Sequence, residues 1–252
     1  IRSVSRDKNG VNKVEGDCGY SELSEVPVDD LNSWSWRPFQ IAFILMSLQS
    51  AVNGTDEYRN NVELIWFPTG GGKTEAYLGL AAFALFYRRL QDQNDVGTHV
   101  LMRYTLRLPT TQQFQRASRL VCAMEIVRNE EIEQLGSTPF SIGIWVGGDN
   151  TPNNRQLAKS ALRDLQKHPK KKNPFVHESC PWCGASFKYS KWEKNGLFPG
   201  YAEHRKTVVF SCPDQRCSFH GIGKLPIYVV DEDIYDARPD IIIGTVDKFA
   251  QL

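Results

Sequence analysis

The chain has 252 residues, 41% of them hydrophobic and 23% charged, with a formal net charge of +1. This is the composition of an ordinary globular protein and excludes collagen-like, coiled-coil and wholly disordered readings. The near-zero charge also removes any global basic field, so binding to a nucleic acid has to rest on local residues.

No apolar run approaches the roughly 18 residues of a membrane span, the longest being Ile41–Met46 and Leu80–Tyr87. The start at Ile1-Arg2-Ser3 shows no apolar signal segment and no initiator Met. These features predict a cytoplasmic protein, without membrane association, present as a piece of something longer.

Residues 1–36 are polar and weakly patterned and read as a linker or the edge of a preceding domain. From Pro38 to Ala51, apolar residues at Phe39, Ile41, Ala42, Leu45 and Leu48 predict a helix that begins at a proline. Val62–Phe67 is a short apolar run that predicts a buried strand. Lys73–Leu90 predicts a helix, apolar nearly all round and therefore deeply packed. His99–Tyr104, Ser141–Val146, Ile227–Val230 and Asp240–Ile243 read as further strands. Thr110–Arg128 and Asn154–Gln166 read as helices. Strands alternating with helices predict an α/β fold with a parallel sheet and helices on both faces. Residues 174–222 break the rhythm and read as an insertion, leaving 37–173 and 223–252 as two parts of the main domain.

Between the first strand and its helix lies Phe67-Pro68-Thr69-Gly70-Gly71-Gly72-Lys73-Thr74. Consecutive glycines let backbone N–H groups turn towards phosphate oxygens, and the helix start adds partial positive charge. Lys73 would then bridge the β- and γ-phosphates of a nucleotide, and the Thr74 hydroxyl would hold Mg2+. Phe67 stands where the strict pattern has a leading Gly.

Four of the six cysteines form two close pairs, Cys180-Pro-Trp-Cys183 and Cys212-Pro-Asp-Gln-Arg-Cys217. Two such turns can close a tetrahedron around one Zn2+, and the short insertion needs a staple of that kind. His220 or His177 is the alternative to one cysteine. Four thiolates leave no open position, so the site reads as structural. Around it, Trp182, Phe187, Tyr189, Trp192 and Phe198 interleave with Lys188, Lys191 and Lys194. That mixture suits base stacking and phosphate contact, a protein-docking face, or a small core. Lys167–Lys172 is a basic stretch, read as solvated or as a backbone contact. Asp231-Glu232 follows an apolar run in the manner of a Mg2+-binding acidic pair, but its place before Gly244-Thr245 favours a surface acidic turn.

Pro68-Thr69-Gly70-Gly71-Gly72-Lys73-Thr74-Glu75 resembles the first motif of superfamily 2 helicases, which commonly lacks the leading Gly. Four further motifs in family order extend that resemblance over residues 37–252. Arg37-Pro38-Phe39-Gln40 is similar to the glutamine element, which implies that Gln40 reads the adenine edge. Arg103-Tyr104-Thr105-Leu106-Arg107, with Gln112 and Gln113, is similar to the motif after the second strand. Gly147-Gly148 and Gly244-Thr245-Val246-Asp247-Lys248-Phe249 are similar to two more strand-end motifs.

The resemblance implies a RecA-like first motor lobe with ATP and Mg2+ as cofactors beside Zn2+. Thr69, Gly70, Gly71, Gly72, Lys73, Thr74 and Glu75 would hold the nucleotide, with Lys73 and Thr74 catalytic. It further implies contacts from Arg103, Thr105, Arg107, Gln112, Gly147, Gly148, Thr245 and Lys248 to the backbone of a DNA strand, single or partly duplex. Those motifs, the cysteine pairs and the Val229–Tyr235 segment most resemble the helicase subunits of DISARM anti-phage systems, the DrmA-like family. This implies a defence role with a partner subunit. The same family order places the acidic pair beyond Leu252, which predicts that this chain alone does not turn ATP over. A different class, a non-catalytic zinc-ribbon adaptor on a phosphate-loop scaffold, is the alternative.

Overall fold

The structure is a computed structural model, and it describes residues 3–6, 12–15, 36–66, 72–105, 107–148, 150–187 and 198–250. For 3–6, 12–15 and 107–109 only the backbone is described. The chain divides into two compact units, one of residues 16–95 and one of 1–15 with 96–252. This division differs from the predicted one, in which 37–173 ran together.

The described part of the predicted linker is an antiparallel hairpin, β1 (Ser3–Arg6) with β2 (Asn12–Glu15), in which Val4 faces Val14. In the 16–95 unit, α1 (Pro38–Val52) starts at Pro38 because its missing N–H is one that a first turn leaves unpaired anyway. The Gln40 side chain accepts the Arg37 N–H at 2.8 Å and closes that start. Its partner α2 (Lys73–Gln91) approaches closely at Gly79, where a Cβ would lie 2.7 Å from Trp36 and 3.0 Å from Ile44. Leu78, Ala81 and Leu85 form a buried face of α2 and Ala76 is buried near its start, while Tyr77, Phe83 and Tyr87 reach solvent. The all-round burial predicted for this helix is therefore corrected to a partial one.

Val62–Trp66 is not a buried strand. It has no strand pairing, and Val62 and Trp66 are 94% and 88% exposed. An apolar run becomes a strand only when a neighbour takes its backbone groups. The described residues of its own unit supply helices and no sheet.

The second unit is built on β3 (Val100–Tyr104), α3 (Arg107–Glu130), α4 (Ile132–Leu135), β4 (Ile142–Trp145) and α5 (Arg155–Lys167). It continues with β5 (Tyr201–His204), β6 (Thr207–Phe210), β7 (Ile227–Tyr228), α6 (Asp231–Ala237), β8 (Ile241–Thr245) and α7 (Val246–Phe249). The main sheet is parallel in the order β3-β8-β4-β7. Its middle strands turn Ile142, Ile144, Ile241 and Ile243 to one fully covered face, and β4 is covered on the opposite face too, through Gly143 and Trp145.

Phe114, Ala117, Val121 and Met124 form the buried stripe of α3. Asn154 caps α5 by accepting the Leu157 N–H at 2.8 Å. Gly244 is fixed by crowding, since a Cβ there would lie 2.8 Å from the Trp145 carbonyl.

The segment 174–222 belongs to this same unit. Its hairpin β5–β6 surrounds Tyr201 with Phe175, Phe187 and Phe210, at ring-centroid distances of 4.9, 5.5 and 5.5 Å. Arg163 of α5 holds Glu203 through two bonds of 2.7 and 3.0 Å. Ser118 of α3 meets His177 at 3.0 Å. The lobe is therefore anchored along two helices of the sheet domain.

Candidate functional site

In a parallel sheet all strands end on the same side, and the turns that follow them converge there. Registers place Arg103 beside Gly244, Tyr104 beside Thr245 and Trp145 beside Gly244. Arg103 and Thr105 are exposed at this edge. After β4 the chain turns at Gly147, which has a φ of +89° and lies so close to Lys248 that a Cβ would be 3.3 Å from its Cε. Gly148 packs equally tightly on Asn153, where a Cβ would meet the carboxamide at 2.9 Å. Thr245 is 1% exposed, and its hydroxyl has no hydrogen-bond partner among the described residues.

The structure thus brings Arg103, Thr105, Gly147, Gly148, Thr245 and Lys248 to one edge. Gln112 is exposed in the early turns of α3. The Arg107 backbone opens that helix, and its side chain lies outside the described residues.

Asp231 and Glu232 are not a surface acidic turn. They open α6, with Asp231 buried. Its Oδ2 accepts the Trp145 indole N–H at 3.2 Å and the Lys248 ammonium at 3.1 Å. Glu232 accepts the Arg155 N–H at 2.9 Å. The Asp231 and Glu232 N–H groups donate to the carbonyls of Pro152 and Asn153, so this acidic start fastens the loop after β4. The sequence alone gave no signal for this clamp, because Trp145, Lys248 and Asp231 are distant in the chain.

Burial pushes the Asp231 carboxyl above its ordinary value, and Lys248 offsets this only in part. The folded state therefore binds that proton more tightly than the unfolded chain. Asp231 costs stability increasingly as pH rises from about 4 through its raised value. An Asp231→Asn variant lacks this dependence. Thermal melts should show its Tm gaining on the parent as pH rises above about 4.

In the 16–95 unit, Gly72 caps α2 in the left-handed region, φ +89°. Lys73 and Thr74 open the helix and Glu75 lies in its first turn, while Thr69, Gly70 and Gly71 lie outside the described residues. Gln40 is 5% exposed. Its Nε2 donates to the Gly72 carbonyl at 2.7 Å while its Oε1 accepts from Arg37. The amide expected at an adenine edge is here held on Gly72, the last glycine of the Gly70–Gly72 run. A Cβ at Gly72 would fall 2.6 Å from that Nε2, so glycine is required for the contact as well as for the turn.

Cys180, Cys183, Cys212 and Cys217 are buried, and their sulfurs all lie within 4.8 Å of one another. Each pair sits on a tight turn. Cys180 donates its N–H to Ala185 at 2.8 Å and accepts from Gly184 at 2.9 Å, with Gly184 at φ +80°. Cys212 donates to Phe219, Cys217 donates to Asp214 and accepts the His220 N–H.

The Cys183 and Cys212 sulfurs are 3.3 Å apart, beyond the roughly 2.05 Å of a disulfide. The four sulfurs titrate as one set through their mutual hydrogen bonds, which hold Cys183 and Cys217 below the ordinary thiol range and leave Cys180 and Cys212 above it. Four sulfurs in this arrangement fit a tetrahedral ion such as Zn2+. Neither histidine joins them. His220 is exposed with its Nδ1 2.9 Å from the Cys212 carbonyl. His177 is pushed down to about 3 by burial and lies against Ser118. Phe187 and Phe198 are buried, which assigns them to the lobe's core rather than to a stacking platform. Lys188, Tyr189, Lys191, Trp192 and Lys194 lie outside the described residues.

No family model matches the chain. It is similar to DISARM protein DrmA of Bacillus paralicheniformis. The two are 40% identical over 233 residues, a match that covers 86% of this chain and 20% of DrmA. The chain thus spans about a fifth of the length of that relative. Among the described residues no helix is long and apolar enough to cross a membrane.

Proposed function

We propose that the chain is part of the RecA-like first motor lobe of an ATP-dependent DNA helicase or translocase that acts in anti-phage defence with other DISARM proteins. The observation that carries this reading is the convergence of Arg103, Thr105, Gly147, Thr245 and Lys248 on one edge of a parallel sheet. The likeness to DrmA and the Gly-Lys-Thr start of α2 support it.

In this reading Gly70–Thr74 cradle the phosphates of ATP, with Lys73 on the β- and γ-phosphates and Thr74 on Mg2+. Thr69, Gln40 and Glu75 support the loop. Arg103, Thr105, Arg107, Gln112 and Lys248, with the amides of Gly147 and Gly148 and the Thr245 hydroxyl, hold the backbone of one strand. Such contacts carry no base code, so binding is sequence-tolerant and salt-dependent. Zn2+ held by the four cysteines is structural.

The deciding experiment is ATP hydrolysis by the full-length protein with and without single-stranded DNA. Turnover stimulated by DNA is the expected result. DNA binding with no turnover under any condition would favour the adaptor reading and overturn the motor.

A further inference from the structure

We propose that the tip of the β5–β6 hairpin, through Arg205 and Lys206 with His204 beside them, holds the phosphate backbone of the same strand that the strand-end edge binds. The proposal rests on the strand-binding reading above. It extends that reading to the cysteine lobe, which otherwise serves only as structural support.

The two strands pair without a break from Tyr201 and Phe210 to His204 and Thr207, so Arg205 and Lys206 alone make the turn. His204, Arg205 and Lys206 are all exposed. None of the three side chains has a hydrogen-bond or ion-pair partner among the described residues. The neighbouring cations differ. Arg163 is held by Glu203, and Arg155 by Asp233 and Asp236. The same bonds occupy the acids that flank the hairpin, and Glu232 accepts the Arg155 N–H. The positive charge at the tip is therefore left uncompensated.

The backbone of the turn is a second, independent observation. Arg205 has a φ of +52°, in the left-handed region that two-residue hairpin turns fill with Gly, Asn or Asp. An arginine there carries a steric cost that glycine would avoid. A cation kept at such a position, exposed and unpaired, points to a ligand outside the chain. The adjacent lysine makes that ligand an anion with more than one charged oxygen within reach, as a phosphate backbone supplies.

The tip is also held in place and aimed. Tyr201 at its base is enclosed by aromatic rings, and Glu203 is fastened to α5. Thr207, the first residue after the turn, donates its hydroxyl to Asp233 of α6. That bond fixes which side of the sheet the tip adjoins. Helix α6 follows β7 after Val229 and Val230, so its first turn stands at the carboxyl end of the parallel sheet, the side of the strand-end edge. Asp231, in the same turn, receives Lys248. One helical turn thus reaches Lys248 through Asp231 and the hairpin through Asp233. A helix with its side chains is roughly 10–12 Å across, so the two contacts lie within the span of a few nucleotides.

The test measures binding of a labelled single-stranded oligonucleotide to the full-length protein over a range of salt concentrations. Arg205→Gln combined with Lys206→Gln should reduce the steepness of log K against log[salt] by about 1.4, two phosphate contacts at about 0.7 each, at unchanged zinc content. Lys224→Gln removes an exposed charge at the other end of the hairpin, where Leu225 donates to the Phe210 carbonyl, and should leave the steepness as it was. Arg205→Gly relieves the left-handed turn, so it should hold or raise Tm while reducing the steepness by about 0.7. A gain in Tm with no change in salt dependence would mark the turn as structural only and overturn the proposal. An equal drop in Lys224→Gln would show a general charge effect and overturn it too. So would a double variant that binds DNA like the parent but no longer associates with another DISARM protein, which would assign the tip to a protein surface. A parent that fails to bind the oligonucleotide at all would overturn the strand-binding reading and this proposal with it.

Discussion

Cys212→Ser, or removal of metal by a chelator, should unfold the 174–222 lobe of the full-length protein and, on the proposed strand-binding reading, abolish binding of single-stranded DNA. Metal analysis of the parent should find about one zinc in this lobe, and the variant should lack it. The size of the effect follows from how little else holds the knuckles. Each is a turn of a few residues closed by two or three backbone hydrogen bonds, and the four sulfurs are buried side by side. With no cation, neighbouring thiols and thiolates must share a dry space. With one, binding contributes of order 10 kcal/mol of folding energy in small metal domains.

The loss should spread, because His177 lies against Ser118 and Glu203 against Arg163, so the lobe braces α3 and α5. Helix α3 begins at Arg107, just after the Thr105 turn of the strand-end edge. Cys122 supplies the control. It is buried and its thiol is pushed up by burial, but it stands outside the four-sulfur set. Cys122→Ser should keep the zinc. A parent protein without stoichiometric metal, melting together with Cys212→Ser, would remove the metal centre.

Much of the sheet domain was legible because its signals are local. Asn154 announces α5 as a cap, and the apolar spacing of α3 and the isoleucine runs of β4 and β8 need only neighbours in the chain. What escaped depends on distant partners. Val62–Trp66 has the composition of a strand, but composition cannot supply the paired backbone. Phe187 and Phe198 look the same in sequence whether they stack on a base or fill a core. Gly200 decides between these roles, since a Cβ there would fall 2.1 Å from the Phe187 ring, which shows how tightly that ring is enclosed. Asp231 reads as an acid after a strand, and only the fold brings Trp145 and Lys248 to it. Gln40 was legible as a site residue, whereas its bond to the Gly72 carbonyl was not. Nothing in the sequence says that a helix start and a loop end, 32 residues apart, share one amide.

Lys73→Ala in the full-length protein should reduce DNA-stimulated ATP hydrolysis by at least about a hundredfold, as expected when a preorganised positive group is removed from a charge-developing phosphate. Lys73 opens α2 directly after the left-handed Gly72. At the first helical position it stands at the end where the helix N–H groups present partial positive charge. The helix itself should be indifferent to the change. Alanine has the highest helix propensity, and the buried Ala76, Leu78, Ala81 and Leu85 are untouched, so Tm should stay within about 1 °C. On the proposed motor reading, nucleotide affinity should fall less than turnover, because the loop amides would still bind phosphate while the group that stabilises the transferring phosphoryl would be gone. Gln40→Glu separates the loop's shape from its charge. It deprives the Gly72 carbonyl of its donor and sets two oxygens against each other at the 2.7 Å contact, so it should raise KM for ATP with a smaller effect on kcat. Turnover unchanged in Lys73→Ala would show that Gly70–Thr74 is not the phosphate site, whatever the strand-end edge binds.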